Sequence, residues 1–134
     1  MQITQRIMKD LLQAAREAAL RAYVPYSGYQ VGAAVLCPDG SVFTGCNVEN
    51  ASYSLTVCAE RTAVFKAVSA GYTEFSAIAI YVDSDQLFPP CGACRQVLSE
   101  FAADLPVLYA NRLKQVYSNI SNLLPDAFQL KKND

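Results

Sequence analysis

Two short stretches of the sequence carry the residue types that metal chemistry requires. The first, Cys58-Ala59-Glu60-Arg61, opens a helical pattern with a thiol and a carboxylate two residues apart. The second, Pro90-Cys91-Gly92-Ala93-Cys94-Arg95, places two thiols three residues apart at the start of another helical pattern. If the two helix starts meet, three sulfurs can close on one metal and leave a fourth position open beside the carboxylate. This is the outline of a zinc site that activates water.

The spacing of Cys91 and Cys94 alone is compatible with three kinds of site. At a helix start both sulfurs can face one point, where the helix dipole favours the thiolate. The same spacing occurs in thioredoxin-like redox pairs and in four-cysteine structural zinc sites. The redox alternative lacks its usual upstream βαβ unit. The structural alternative needs a fourth ligand, which only Cys37 or Cys46 can supply, and both lie in strand patterns where a buried cysteine behaves as a small hydrophobe.

Glu60 favours a catalytic site over a structural one. Two residues beyond Cys58, its carboxylate can reach over the metal without ligating it and move protons between water and a substrate nitrogen. The alternative is a solvated glutamate that complements the helix dipole. Three thiolates leave a zinc centre with a net negative charge, so we expect cations nearby. Arg61 and Arg95 can donate to the sulfurs and draw charge off the metal; otherwise they are surface residues of their helices.

Composition bounds the class of protein. The chain has 134 residues, of which 52% are hydrophobic and 17% charged, with no histidine. Its length predicts a single domain over residues 1–134, and its charged fraction, below the usual ~25%, predicts that some surface is buried between copies of the chain. The lack of histidine excludes catalytic triads that need histidine, and it excludes zinc sites with histidine ligands. A formal charge of −1 without a basic run argues against a nucleic acid polymer as partner.

The cysteines indicate a reducing compartment. The chain has five of them but no secretory signal, no basic presequence and no apolar run near ~18 residues. We therefore expect a cytoplasmic protein with free thiols and no membrane partner.

Periodicity predicts nine elements in the order α-β-β-α-β-α-β-β-α. Helices are predicted over residues 4–23, 58–70 and 91–103, strands over 29–36, 41–46, 75–82, 107–110 and 115–117, and a final helical turn is capped by Ser121. Thr4 is the predicted N-cap of the first helix, and the apolar run at 75–82 indicates a central strand. The fold class is therefore α/β, a three-layer α/β/α domain with a mixed five-stranded sheet. The long polar connection at 47–57 is typical of a functional loop.

A cysteine, a glutamate two residues later and a distant Pro-Cys-x-x-Cys form the zinc deaminase signature. Beyond it, the chain resembles the small, homotetrameric cytidine deaminases over about residues 10–128. The motifs that carry the resemblance are Tyr26-Ser27, Val31-Gly32-Ala33-Ala34, Gly45-Cys46-Asn47-Val48-Glu49-Asn50-Ala51, Cys58-Ala59-Glu60-Arg61-Thr62-Ala63, Pro90-Cys91-Gly92-Ala93-Cys94-Arg95-Gln96 and Leu123-Leu124-Pro125 with Phe128.

The resemblance implies zinc-dependent hydrolysis of cytidine and 2′-deoxycytidine to the uridines, with release of ammonia, in pyrimidine salvage. It implies that Cys58, Cys91 and Cys94 ligate Zn²⁺ and that Glu60 shuttles protons between water, ring N3 and the leaving amine.

The resemblance also implies how the nucleoside is held. Asn47 and Glu49 would hold the ribose hydroxyls, Tyr29 would lie against the base, and backbone at Ala59 and around Pro89 would read the pyrimidine edge. Phe128 and Tyr53 would reach a neighbouring subunit's site, so that an isolated subunit would be inactive. The alternative for Tyr29, Tyr53 and Phe128 is ordinary core or interface packing.

Two positions depart from the family pattern. Tyr29 stands where the family commonly has Phe, and its hydroxyl needs a partner, which can alter substrate preference. Pro89 stands where the family often has a small hydroxyl residue, so it offers a backbone carbonyl but no side-chain contact.

Three other functions compete with a free-nucleoside deaminase. A blasticidin S deaminase shares the zinc motif, but the pair Asn47-x-Glu49 and the tail with Phe128 favour cytidine. A polynucleotide-editing enzyme would need a basic groove with stacking aromatics. A zinc-stabilised interaction module would not need Glu60.

Overall fold

A computed structural model describes residues 2–132 as a sheet between two layers of helices. The helices are α1 (Gln5–Ala19), α2 (Ala59–Ser69), α3 (Gly92–Phe101) and α4 (Ile120–Leu123), and the strands are β1 (Val31–Leu36), β2 (Val42–Cys46), β3 (Ala77–Val82), β4 (Pro106–Ala110) and β5 (Gln115–Asn119). A short 3₁₀ helix spans Tyr53–Leu55. Within residues 2–132, no helix is both long enough and apolar enough to cross a membrane.

The five strands form one mixed sheet in the order β2-β1-β3-β4-β5. Neighbouring strands are antiparallel except β3 and β4, which are parallel and joined through α3. β3 lies in the middle of the sheet and is buried along its whole length, which confirms the prediction from its apolar run. The predicted order of elements and the three-layer α/β/α fold are confirmed.

Alternate residues of each strand feed two separate cores, because successive side chains point to opposite faces of a sheet. On one face, α1 packs through Leu11, Leu12 and Ala15 against Ala34 and Ala79. On the other face, α2 and α3 pack against the sheet. That core includes Ala63, Val64, Leu98, Ala33, Val35, Ile78 and Ile80. Both helices predicted to carry the cysteines therefore lie on the same face.

The first helix has the predicted N-cap but ends early. Thr4 Oγ1 accepts the backbone N–H of Ile7, as expected of an N-cap. The helix ends at Ala19 rather than near Tyr23, because the backbone N–H of Tyr23 donates to Asn47 O and Tyr23 forms a parallel bridge with Val48. The predicted end was wrong because this partner lies far along the chain.

The cap of the final helix was also predicted wrongly. Asn119 is the N-cap of α4, and its Oδ1 accepts the N–H of Asn122 at 2.8 Å. The Ser121 hydroxyl donates instead to Asp104 Oδ1 at 2.7 Å and to Asn119 Oδ1 at 2.9 Å.

β2 and α2 approach each other closely at Gly45. A Cβ at this position would clash with the backbone N of Ala63 and would lie 2.7 Å from Ala59 O. Only glycine permits this contact, because every other residue carries a Cβ. The first turn of α2, which holds Ala59 and Glu60, is therefore seated directly on the sheet.

Candidate active site

The N-termini of α2 and α3 bring three thiols together. Cys58 is the N-cap of α2 and Cys91 is the N-cap of α3. Cys94 lies in the first turn of α3, and its backbone N–H donates to Cys91 Sγ at 3.4 Å. The Sγ atoms of Cys58 and Cys91 are 3.7 Å apart, and all three Sγ atoms lie within 4.8 Å of one another.

This cluster fits a zinc ion. With Zn–S bonds of ~2.3 Å, two sulfurs on a tetrahedral ion lie roughly 3.8 Å apart, and the measured separation of Cys58 and Cys91 is 3.7 Å. Three thiols are a donor set that zinc prefers. Three protein ligands also leave one of the four positions open, which is typical of catalytic rather than structural zinc sites.

The remaining two cysteines do not join the cluster. Cys37 is buried directly after β1 and Cys46 lies in β2, and among residues 2–132 the group of possible metal ligands comprises only Cys58, Cys91 and Cys94. Neither Cys37 nor Cys46 can therefore complete a four-cysteine site. All five cysteines are free thiols.

Arg61 stabilises negative charge on the cluster. Its Nη2 donates to Cys58 Sγ at 3.5 Å, and its Nε is buried without a partner among the described residues. The pKa of Cys58 falls to about 5, through a hydrogen bond from the Cys94 thiol and, against the cost of burial, the hydrogen bond from Arg61. The pKa of Cys94 rises, because the same hydrogen bond with Cys58 retains its proton. The chain thus favours a thiolate at Cys58.

Arg95 does not donate to a sulfur, which corrects its predicted role. Its Nε donates to Pro90 O at 2.7 Å and its Nη1 to Leu123 O at 2.9 Å. Arg95 therefore fastens the start of α3 to the end of α4. The prediction failed because the two carbonyls belong to the loop before α3 and to a helix far along the chain.

Glu60 is buried in the first turn of α2, with only 4% of its surface exposed. Burial raises the pKa of Glu60 to about 7, and negative charge on Cys58 adds to the rise. A carboxyl group with a pKa near neutrality can both accept and donate a proton at working pH. Such a group beside a metal-binding cluster is typical of an active site.

The cluster opens into a cleft of about 310 Å³. Cys58, Cys91 and Glu60 line the cleft. The other lining residues come from the segment before β1, from β1, β3 and α2, and from the 47–57 and β3–α3 loops. Those residues are Ser27, Tyr29, Val31, Asn47, Glu49, Tyr53, Thr56, Ala59, Ile80, Val82, Phe88 and Pro89. A larger cavity lies near the C-terminal tail, but none of the cluster residues line it. We therefore assign the chemistry to the cleft beside Cys58, Cys91 and Glu60.

Asn47 and Glu49 lie in the cleft with their side chains anchored to the backbone. Asn47 Oδ1 accepts the N–H of Val31 at 3.0 Å, and its Nδ2 donates to Tyr29 O at 2.8 Å. Glu49 Oε1 accepts the N–H groups of Tyr26 and Ser27 at 3.0 and 3.1 Å. These contacts fix both polar groups at the wall of the cleft.

Tyr29 and Phe88 form an aromatic pair beside them. Their ring centroids are 5.0 Å apart with an interplanar angle of 85°, a favourable edge-to-face arrangement. The Tyr29 hydroxyl donates to Gln86 Oε1 at 3.1 Å, so the additional hydroxyl has a partner. Pro89 follows Phe88 in the wall, and Ala59 contributes to the cleft although its residue surface is fully buried.

The sequence model for the "Cytidine and deoxycytidylate deaminase zinc-binding region" matches residues 5–110. This chain belongs to that deaminase family. It is therefore an enzyme of a hydrolytic family, and Zn²⁺ is its cofactor.

Curated relatives and solved structures agree with the family assignment. The chain is 52% identical over 126 residues to the cytidine deaminase of Halalkalibacterium halodurans, covering 92% of each chain. It is 46% identical over 123 residues to that of Sporosarcina psychrophila, covering 90% of each chain. The crystal structure of the cytidine deaminase of Burkholderia pseudomallei superposes with a TM-score of 0.86 at 47% identity, covering 94% of this chain and 100% of that one.

Two aromatic residues assigned to the deaminase site lie in different places. Tyr53, in the 3₁₀ helix, lines the cleft of its own chain. Phe128 does not line that cleft; it lies beside α3, where its carbonyl accepts from Gln96 Nε2 at 2.9 Å, and 68% of its surface is exposed. An exposed position outside the cleft is compatible with a contact to another copy.

Sequence reasoning gave no role of their own to six residues that line this cleft, namely Ser27, Val31, Thr56, Ile80, Val82 and Phe88. Ser27 was named only as part of the motif Tyr26-Ser27, and Thr56 lies in the polar connection at 47–57. The available signal for Phe88 was an aromatic residue in a loop immediately before the Pro89-Pro90-Cys91 ligand stretch. The signal for Ser27 was its place in the motif Tyr26-Ser27, whereas Thr56 had none, because a hydroxyl becomes informative only when its partner is known.

Proposed function

We propose that this enzyme catalyses the hydrolytic, zinc-dependent deamination of cytidine and 2′-deoxycytidine to uridine and 2′-deoxyuridine, with release of ammonia. The observation that carries the proposal is the buried carboxylate of Glu60 beside three converging thiols, at the side of a cleft that also holds Asn47 and Glu49. The likeness to proteins named cytidine deaminase supports the choice of base.

Cys58, Cys91 and Cys94 would hold the zinc, and Arg61 would offset the charge of the thiolates through its contact with Cys58 Sγ. When bound, zinc lowers the pKa of a coordinated water from 15.7 to near ~7 and so supplies a nucleophile at neutral pH. The open side of the cluster faces the cleft, where the substrate would enter.

Glu60 would move the protons of the reaction. It takes one proton from the attacking water and delivers it to ring N3; it then takes the second and delivers it to the leaving amine. One water is consumed and one ammonia is released, so the carboxylate ends each cycle unchanged. The raised pKa of Glu60 supports both directions of transfer.

The polar wall of the cleft, formed by Asn47 and Glu49, would recognise the sugar. The aromatic wall, formed by Tyr29 and Phe88, would recognise the base. Glu49, held ionised by three donors, has lone pairs left to accept from ribose hydroxyls, and Asn47 can donate or accept beside it. Tyr29 would lie against the base, and backbone at Ala59 and around Pro89 would read the pyrimidine edge. A buried carboxylate that expects a hydroxyl partner rejects analogues without one.

At the level of the whole protein, we propose a single deaminase domain over residues 1–134 that assembles as a homotetramer and acts in cytoplasmic pyrimidine salvage. The exposed aromatic surface at Tyr53 and Phe128 supports assembly. Free thiols at the metal cluster support a reducing compartment.

Three alternatives are less well supported. A blasticidin S deaminase shares the metal cluster but gives no reason for the anchored pair Asn47 and Glu49. A polynucleotide-editing enzyme would need a basic groove, whereas the formal charge of the chain is −1. A zinc-stabilised interaction module gives no reason to bury a carboxyl group at Glu60.

The decisive experiment follows the loss of cytidine absorbance with wild-type enzyme and with Glu60→Gln. The amide cannot take a proton from water, so kcat/KM should fall at least about a hundredfold while zinc content and fold remain. Near-normal turnover by the variant would remove Glu60 from the mechanism. Absence of wild-type turnover on both nucleosides would refute the proposed function.

Cys91→Ala provides the complementary measurement. Loss of one of three thiols should release the metal and abolish activity together, which elemental analysis and the same absorbance assay would detect. Full zinc occupancy in this variant would exclude Cys91 as a ligand.

A further inference from the structure

The hydroxyl of Ser27 connects the polar wall of the cleft, at Glu49, to the aromatic wall, at Tyr29. Its Oγ donates to Glu49 Oε2 and accepts the backbone N–H of Tyr29 at 3.0 Å. No step of the proposed reaction has used this hydroxyl, although Ser27 lines the cleft.

The direction of the hydroxyl proton is fixed by its two neighbours. An N–H can only donate, so Tyr29 occupies a lone pair of Ser27 Oγ. An ionised carboxylate can only accept, so the single hydroxyl proton of Ser27 must point to Glu49. This bond to a charged group is of the stronger class of hydrogen bonds, and it reaches the carboxylate oxygen that no backbone N–H holds.

Because the Glu49 carboxylate is buried, loss of its hydrogen bond from Ser27 should change its orientation. Glu49 has only 4% of its surface exposed, so little water is available to replace a lost donor. Its Oε1 is held by two backbone N–H groups, whereas Oε2 relies on Ser27. Without the hydroxyl, the carboxylate can rotate about its Cγ–Cδ bond and turn the lone pairs of Oε2 away from the cleft.

We propose that Ser27 is a positioning residue for ribose recognition, which acts through Glu49 by holding Oε2 in the orientation that accepts the sugar hydroxyls. This rests on the proposed function. The backbone of Tyr29 stays anchored in the absence of the hydroxyl, because Asn47 Nδ2 holds its carbonyl at 2.8 Å. Tyr29 thus keeps one of its two anchors, whereas Glu49 Oε2 loses the hydrogen bond from Ser27, so the larger effect falls on Glu49.

The test compares wild-type enzyme and Ser27→Ala on cytidine and on 2′,3′-dideoxycytidine, which lacks the 2′- and 3′-hydroxyls and keeps the 5′-hydroxyl. For cytidine, KM should rise about tenfold with kcat changed less than about threefold, because a charged hydrogen bond that orients the binding group is lost. For the dideoxy substrate kcat/KM should stay within about threefold, because the 2′- and 3′-hydroxyls that Glu49 would hold are absent. The preference for cytidine over the dideoxy substrate therefore falls about tenfold.

Three further variants separate positioning from a general structural role. Ser27→Thr keeps the hydroxyl and should restore KM to within about threefold of wild type. In a Glu49→Gln background, Ser27→Ala should add no further loss. Ser121→Ala is the matched control, because it removes a serine–carboxylate hydrogen bond outside the cleft, and it should leave both substrates unaffected.

Equal losses on the two substrates, or a fall in kcat with KM unchanged, would overturn the role of Ser27. A wild-type enzyme that does not deaminate cytidine would instead overturn the proposed function, so the two failures are distinguishable. Zinc content and circular dichroism verify the fold of Ser27→Ala. If that variant does not fold, Ser27→Cys, whose thiol is a weak donor, takes its place in the same comparison.

Discussion

The two buried carboxylates of the cleft have opposite surroundings. Glu49 accepts from the Ser27 hydroxyl and from two backbone N–H groups, and these hydrogen bonds, the one from the hydroxyl first, lower its pKa. Burial instead raises the pKa of Glu60 to about 7. Such a separation supports the roles proposed for them, binding as an anion for Glu49 and proton transfer for Glu60.

Glu49 predicts a specific dependence of stability on pH. Because the pKa of Glu49 is lower in the folded state than in the unfolded chain, its ionised form stabilises the fold above the ordinary pKa of 4.5. This stabilisation is lost as pH falls through the lowered folded-state pKa. Relative to Glu49→Gln, the zinc-loaded wild-type enzyme should keep a constant advantage in free energy of unfolding from about pH 6 to 8 and lose it below about pH 4.5.

Urea unfolding of both proteins over this range measures the difference. Zinc release at low pH affects both proteins and cancels in the comparison. An advantage that grows as the solution becomes more acidic would contradict the assignment of Glu49 as an anion.

At the scale of elements, the metal cluster depends on two helix starts meeting on one face of the sheet. Cys58 and Cys91 are the N-caps of α2 and α3, so a small shift of either helix changes the separation of the sulfurs. α2 is seated on β2 at Gly45, where there is no room for a Cβ. The absence of a side chain at Gly45 therefore determines how closely the first turn of α2 approaches the sheet.

Gly45→Ala should destabilise the fold and weaken zinc retention together. The added methyl group must push α2 from the sheet, at a cost of about 1–3 kcal/mol typical of overpacking. Unfolding free energy and zinc content after dialysis against a chelator measure the two effects. Gly92→Ala is the control for stability, since a Cβ there meets nothing within 4 Å. Wild-type stability and zinc retention in Gly45→Ala would show that α2 is not held at this contact.

Local patterns in the sequence predicted the element order, the N-cap Thr4, the central position of β3 and the three cysteines that meet. They could not predict contacts whose partner lies far along the chain. Tyr23 leaves the first helix to pair with the 47–57 loop, and Arg95 turns to the carbonyls of Pro90 and Leu123. Donor and acceptor groups of this kind have several possible partners, and the folded backbone selects one.

At the scale of the whole molecule, a substantial aromatic surface faces outward. Phe128 has 68% of its surface exposed and Tyr53 has 59%, and Phe128 lies outside the cleft of its own chain. The proposed homotetramer would bury these two side chains between subunits. In a homotetramer, Phe128 would complete the site of another subunit.

Phe128→Ala should therefore reduce kcat/KM at least about tenfold while each subunit keeps its zinc. Mixing it with the inactive Glu60→Gln, after dissociation and reassembly, should restore activity above the sum of the separate proteins. In a mixed assembly, a subunit with Glu60 can receive Phe128 from its neighbour. Native mass spectrometry would verify mixed tetramers, and activity no higher than the sum in such assemblies would show that Phe128 serves only its own chain.

The backbone of Tyr29 is held on one side by Ser27, which also holds Glu49, and on the other by Asn47. The groups proposed to recognise the sugar thus also support the residue proposed to face the base. Anyone who redesigns this enzyme for nucleosides with altered sugars will find that replacing Asn47 also loosens the aromatic wall. Changes in sugar preference should therefore require compensating changes near Tyr29, and they should evolve as linked sets of substitutions.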